Sequence, residues 1–378
     1  MRRLKIVFLF TSLFFLRWYL LPSPLPENWS TESKIRYSVT LLGLPEYTDS
    51  QTIVRSGRWY IPLKGYIKII PGSRVSFGGQ VEPKWVMGKV TQIKMIDPKM
   101  VIVCAHTRCE GSPHTGYVGD LLVVLGQWRE KWVETLQRSL PEPMASLSAG
   151  ILLGVKGQMP KQFYDALVNT GTLHIVAASG YNVSIVATIA MRVIGGFVSR
   201  NVAIVMGIVA IIVYVFLAGG SASVLRAGIM GSLTLVSFYF GRPAEAKRLL
   251  FVTAGIMLLI DPILIFDIGF QLSFVATAGL LYLEPLIENK FQFTIYNLQT
   301  FLKSYLYPTL AASIATLPVI LWHFGRVSLI SPLVNMLVLP TVPLIMGITA
   351  LILVGGQFMA WLSYPLLAYV VYMIKLFG

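Results

Sequence analysis

Apolar residues fill long stretches of the second half of the chain, at 173–197, 201–219, 222–240, 249–260, 268–286, 305–323, 328–354 and 357–377. About 20 apolar residues cross a bilayer as a helix. Some stretches are short or interrupted by Gly and Pro, so the pattern predicts roughly seven to nine crossings or half-crossings. The first half reads differently. From residue 31 to 125 the runs KIRYSVTLLGL, QTIVRS, RWYIPLKGYIKII, SRVSFGGQVEP, WVMGKVTQIKM and MVIVCAH are separated by turn residues such as Pro71, Gly72 and Ser73. These are strand signals with partial period-two alternation. Five or six strands in about 90 residues suit a small closed barrel of the OB type.

Three connecting pieces complete the pattern. The start, MRRLKIVFLFTSLFFLRWYLLPSPLP, joins a basic head to an apolar run, and bulky Arg17, Trp18 and Tyr19 stand where signal-peptide cleavage needs small residues. An uncleaved anchor over residues 1–27 is expected. Residues 126–141 place Trp128, Trp132 and Leu136 at helical spacing, as a helix lying on a membrane surface does. MASLSAGILLGV is too short to span, which predicts a half-inserted element at 143–157 before the amphipathic PKQFYDALVNTG. The expected domains are thus an anchor at 1–27, an OB-type barrel at 28–125, amphipathic and half-inserted helices at 126–170, and a transmembrane domain at 171–378.

With 55% hydrophobic and 13% charged residues and a mean hydropathy of +0.69, the fold class is a polytopic α-helical membrane protein with an all-β OB-type domain. The net charge of +14 suits an anionic lipid surface or a polyanionic ligand equally well. The loops add an orientation. Arg192 and Arg200, then Arg242, Lys247 and Arg248, then Lys290 and Lys303 fall on one side, and Asp261 and Asp267 on the other. By the positive-inside bias the basic side is cytoplasmic, which places the barrel outside a cytoplasmic (inner) membrane. There Cys104 and Cys109 favour a disulfide over free thiols; a zinc site with His106 or His114 is a third reading. On the barrel, Arg58, Trp59, Tyr60, Lys64, Tyr66 and Lys68 are candidate contacts for single-stranded nucleic acid, against the plainer reading of core aromatics and solvated charges.

Familiar catalytic patterns are missing. The four His, at 106, 114, 174 and 323, do not pair at helical ligand spacing, and no HExxH, Walker A or GxSxG run occurs. Ser179 beside His174 lacks an acidic third member, so a hydrolase is disfavoured and no catalytic residue, metal or cofactor is expected. What stands out is polar side chains within apolar spans, costly in a bilayer and commonly functional. They are His174, Ser179, Asn182 and Ser184, Arg226, Gln271 and Ser273, Thr316, and His323, Arg326 and Asn335. His174, Ala178 and Asn182 recur every four residues and would share a stripe on a continuous helix, which Gly180 can break. Arg226 either faces a phosphate-bearing strand or pairs with Asp261 or Asp267.

The run HIVAASGYNV resembles the His-x-x-Ala-x-Ser-Gly-x-x-Val core of the competence-protein domain of the ComEC family of DNA-uptake channels. RAGIM at 226–230, FGRPAEAKRLLFVTAGIMLLIDP at 240–262, GFQLSF at 269–274 and ATLPVILWHFGRVSLISPLVNMLVLP at 315–340 are similar to later blocks of that domain in the same order. The resemblance covers roughly 135–345 and implies a channel that passes one DNA strand across the cytoplasmic membrane. It matches His174, Ser179 and Gly180 to the first block, Arg226 to the second, Asp261, Gly269, Gln271 and Ser273 to the third, and Asn335 to the last. The expected pore or DNA pathway is His174, Ser179, Gly180, Asn182, Arg226, Gln271, Ser273 and Asn335. The chain departs from the pattern where members often carry a second His, here Asn182, and shows no HxHxDH run of the metallo-β-lactamase-like domain that many members add.

The resulting expectation is a channel for single-stranded DNA that does not cut it. Its expected partners are the DNA strand, membrane lipids, an extracytoplasmic DNA receptor, a cytoplasmic helicase or single-strand-binding protein, and a separate nuclease. The rival readings are a transporter or membrane enzyme for a small or lipidic anionic substrate, and a scaffold that displays the barrel.

Overall fold

The structure, a computed structural model, describes residues 13–14, 16–17, 35–40, 46–48, 51–56, 59–64, 74–86, 89–104, 117–155, 159–176, 179–242, 244–290 and 302–378. The chain divides into two compact units, one of Met1–Trp18, Leu136–Val155 and Met159–Gly378, the other of Tyr19–Thr135 with Lys156–Gln158. The expected anchor at 1–27 falls almost wholly outside the described residues.

Among the described residues the smaller unit carries six strands: β1 (Ile35–Thr40), β2 (Glu46–Thr48), β3 (Gln51–Ser56), β4 (Trp59–Lys64), β5 (Arg74–Val86) and β6 (Lys89–Cys104). They form one sheet in the order β1-β5-β6-β4-β3-β2. Every pairing is antiparallel except the short parallel one between β4 and β6. The last two strand signals of the sequence, WVMGKVTQIKM and MVIVCAH, merge with their neighbours into one long hairpin. Proline punctuation misleads here. Gly78 pairs with Lys99 and Gln80 with Ile96, so Asp97 and Pro98 are accommodated in a bulge opposite Gly79, where a missing N–H removes no ladder bond. Among the described residues β1 and β2 stand at the two edges and do not pair with each other.

Helix α1 (Tyr117–Ser139) begins before the expected 126. It buries Leu125, Val133 and Leu136, with Leu140 just beyond its end, while Trp128 remains half exposed. The inward stripe is therefore offset from the aromatic one. α2 (Met144–Leu153) buries all ten of its residues and stops at Gly154. At about 1.5 Å per residue it reaches only some 15 Å, half a bilayer. α3 (Lys161–Asn169) turns Phe163, Ala166 and Leu167 inward.

The first long apolar stretch is two helices, α4 (Leu173–Val176) and α5 (Gly180–Gly195), with Ser179 extended between them. His174 and Asn182 consequently do not share the continuous helical stripe that their spacing suggests. Ala178 lies outside the described residues. The chain continues through α6 (Arg200–Leu217), α7 (Ala222–Tyr239), α8 (Ala246–Ile260), a 3-10 turn (Pro262–Phe266), α9 (Ile268–Tyr282) and α10 (Glu284–Lys290). A π turn (Leu302–Leu306), α11 (Tyr307–Phe324), α12 (Ser331–Val338), a 3-10 turn (Leu339–Thr341) and α13 (Val342–Phe377) follow.

Among the described residues six segments are long and apolar enough to cross a membrane: Arg200–Leu217, Ala222–Tyr239, Ile268–Lys290, Leu302–Phe324, Ser331–Leu353 and Gly355–Phe377. The last two are the arms of one reversal. Gly356 adopts φ 57° and ψ −138°, and Tyr369 Oη donates to Leu337 O at 3.3 Å, so the chain returns beside its own earlier course.

Small residues set the helix spacing. A methyl group added at Gly279 of α9 would lie 2.6 Å from Ala315 Cβ and 2.7 Å from Ala311 O of α11, and one at Gly228 of α7 would lie 2.6 Å from Val215 of α6. The basic loops gather at one end of this unit. Arg200 donates to Phe238 O at 3.1 Å, Lys247 sits 4.7 Å over the Tyr282 ring, and Lys303 pairs with Glu288. Asp261 and Asp267 belong to the opposite ends of α8 and α9.

Candidate functional site

Arg226 is the fifth residue of α7 and only 8% exposed. A guanidinium buried among apolar helices must find acceptors, and α9 supplies them on one stripe. Arg226 Nε donates to Ser273 Oγ at 2.7 Å, and Nη1 donates to Thr277 Oγ1 and reaches Met230 Sδ at 3.6 Å. Ser273 Oγ donates onward to Ser223 Oγ at 3.1 Å, and the Phe274 ring lies 5.9 Å from the guanidinium carbon. Asp261 and Asp267 are used elsewhere. Asp261 Oδ1 accepts from Ile263 N at 3.1 Å and Asp267 Oδ1 from Phe270 N at 2.7 Å, each capping the element that follows. The pairing of Arg226 with either Asp, left open by the sequence, is not made.

The third guanidinium nitrogen, Nη2, has no hydrogen-bond partner among the described residues. It faces the start of α5, where a methyl group at Gly180 would lie 2.9 Å from it and 3.4 Å from Ala227 Cβ. Here Ser179 is the N-cap residue, but its hydroxyl donates to Asn182 Oδ1 at 3.3 Å instead of capping the helix. The Gly180 and Tyr181 amides carry no hydrogen bond to any described residue. A positive helix end thus meets a fixed cation, an arrangement that costs about 0.3–1 kcal/mol at ordinary exposure and more when buried.

Asn182 is 1% exposed and uses both ends of its amide, since Nδ2 donates to Ile151 O at 2.8 Å. Tyr214 Oη donates to the next carbonyl, Leu152 O, at 3.2 Å. Together they satisfy carbonyls that α2 leaves free where it stops inside the unit. Tyr214, Thr277 and Ser223 were not singled out by sequence. Thr277 was findable, lying four residues after Ser273 on the same helical face, and Ser223 three before Arg226. Tyr214 carried no local signal.

A second polar cluster lies around Gly171. His174, an exposed residue, donates from Nδ1 to Gly171 O at 3.0 Å. Gly171 has φ +68°, and a methyl group on it would lie 2.8 Å from Ser331 Oγ and 3.2 Å from Ser328 Cβ. Asn335, 3% exposed, donates from Nδ2 to Ser331 Oγ at 3.2 Å, while its Oδ1 and Ser328 Oγ are buried without a partner among the described residues. The structure therefore gathers Ser179, Gly180, Asn182, Arg226 and Ser273 in one place, and His174 with Asn335 in another. Gln271 joins neither and donates to Ile265 O at 2.8 Å, bracing the turn before α9.

On the sheet, Tyr60 and Lys64 belong to β4, in register with Arg55 and Gln51. Arg58, Tyr66, Lys68 and Cys109 lie outside the described residues, and Cys104 ends β6 opposite Arg74. Among the described residues no group of three or more His, Cys, Asp or Glu could hold a metal ion.

Comparison with known proteins bears on the helical unit. The family model described as Competence protein matches residues 151–377. ComE operon protein 3 of Bacillus subtilis (strain 168) is 26% identical over 202 residues, 53% of this chain and 25% of that protein. The uncharacterized protein YcaI of Escherichia coli (strain K12) is 25% identical over 236 residues, 58% of this chain and 31% of that one. An uncharacterized protein of Aquifex aeolicus (strain VF5) is 29% identical over 142 residues, 37% and 33% of the two chains. The chain thus spans a quarter to a third of the length of these relatives. No solved structure matches it.

Proposed function

We propose that this chain, which belongs to the competence-protein family, passes a single DNA strand across the cytoplasmic membrane during DNA uptake. The observation that carries this reading is Arg226: a buried cation held by hydroxyls, with no carboxylate bonded to it among the described residues and one nitrogen left open. A permeating polyanion needs a few fixed positive groups. Many would trap it, since each phosphate contact adds affinity.

The basic end formed by Arg200, Lys247 and Lys303 supports a cytoplasmic location for that end. In this reading the strand enters from the side of Asp261 and Asp267. The six-stranded unit acts outside the membrane as an OB-type domain that receives the strand, with Tyr60 and Lys64 among its contacts. The chain does not cut DNA, and the second strand is removed by a separate nuclease. The pull comes from a cytoplasmic helicase or single-strand-binding protein, and an extracytoplasmic receptor delivers the DNA.

The test is entry of labelled DNA into liposomes that hold the purified chain and a trapped single-strand-binding protein. Single strands should enter and double strands should not. Arg226→Ala, inserted and folded, should lose entry by at least a hundredfold. Normal import by that variant, or equal passage of both DNA forms, would remove the proposal.

A further inference from the structure

We infer that the N-terminus of α5 and the open Nη2 of Arg226 form a seat for one phosphate group, which the strand's phosphodiesters occupy in turn. This rests on the assignment of Arg226 to the strand's path. The seat joins two positive elements that no described residue neutralises. α5 is a 16-residue helix whose N-cap Ser179 turns its hydroxyl to Asn182, so the Gly180 and Tyr181 amides keep their protons for an outside acceptor. Arg226 is 8% exposed, and its Nε and Nη1 are tied to neutral hydroxyls of α9. Nη2 is left beside the same helix end, 2.9 Å from where a methyl on Gly180 would stand.

A guanidinium against the positive end of a helix is repulsive, and an anion placed between them turns both contacts favourable. Phosphate fits the donors, accepting from adjacent backbone amides through one oxygen and from a guanidinium N–H through another. Gly180 lets the helix end and the guanidinium come this close, since a methyl there would crowd Nη2 at 2.9 Å and displace it from the anion. With a single guanidinium at the seat, a strand is held at one phosphate and released for the next.

The experiment uses the full chain in detergent at constant ionic strength. Three probes replace chloride: inorganic phosphate, dimethyl phosphate as a bare diester, and a short thymidine oligomer. Binding is read by 31P line broadening and by the shift in thermal unfolding. All three should bind the unaltered chain saturably. Gly180→Ala should weaken each at least tenfold, and Arg226→Gln should abolish the binding. Binding to free phosphate but not to the diester would mean that the seat serves a free anion and not a strand. The seat is refuted if no probe binds the unaltered chain, or if Gly180→Ala and Arg226→Gln bind as well as it does. Those outcomes leave the import reading standing if liposomes still take up single strands. Phosphate binding without strand entry would refute import and keep the seat.

Discussion

Among its described residues the helical unit holds two polar clusters of opposite character. Around Arg226, two guanidinium nitrogens have bonded partners, the supporting hydroxyls bond onward to Ser223 and to the α9 backbone, and the one open position belongs to the cation. Around Gly171 the groups are hydroxyls, an amide and an imidazole, Gly171 adopts a positive φ, and Asn335 Oδ1 and Ser328 Oγ have no partner among the described residues. The first cluster positions a charge within an apolar helix bundle, a costly placement that membrane proteins commonly keep for function. The second fits two chain segments together and tolerates loose ends, because an unbonded neutral oxygen costs far less than an unpaired charge.

If that contrast is right, substitutions should divide accordingly. The largest separation is expected in DNA entry, where Arg226→Ala loses at least a hundredfold and Asn335→Ala stays within about fivefold; comparable losses from both would erase the distinction. Next comes Gly171→Ala, which places a methyl against Ser331 at a φ that L-residues avoid. It should lower stability by about 2 kcal/mol, read by thermal unfolding in detergent, with strand entry unchanged in the folded fraction. Asn182→Leu should cost about 1–3 kcal/mol by stranding Ile151 O, and Asn182→His, which restores a donor, should recover most of it. If the His variant is as unstable as the Leu variant, the donor role of Asn182 is wrong. Smallest is Asn335→Leu. Removing an amide that is already half unbonded should change stability by no more than about 1 kcal/mol in either direction.

Much of this could be read from the sequence, and the failures have physical causes. Helices α6 and α7 follow their apolar runs closely because span length is set by bilayer thickness. The polar residues worth watching were visible for the same reason. Their grouping was not: Gly180 and Arg226 are 46 positions apart (226 − 180), and they meet only because α5 packs beside α7. Periodicity misled where the backbone changed state. The four-residue spacing of His174 and Asn182 presumed one helix, but Ser179 is extended and the two residues serve different clusters. Asp261 and Asp267, each just ahead of an apolar helix start, were readable as caps, a local role that takes precedence over a distant ion pair. In the sheet, Pro98 resembled a strand end because a bulge that hides a proline leaves no trace in alternation.

The contact of Gly279 with Ala311 and Ala315 brings the backbones of α9 and α11 close together. A widening at the open guanidinium that kept this contact would carry α9 and α11 together, away from α5 to α7. The hydroxyls of Ser273 and Thr277 belong to α9 and Arg226 to α7, so such a movement would have to break the hydrogen bonds between them.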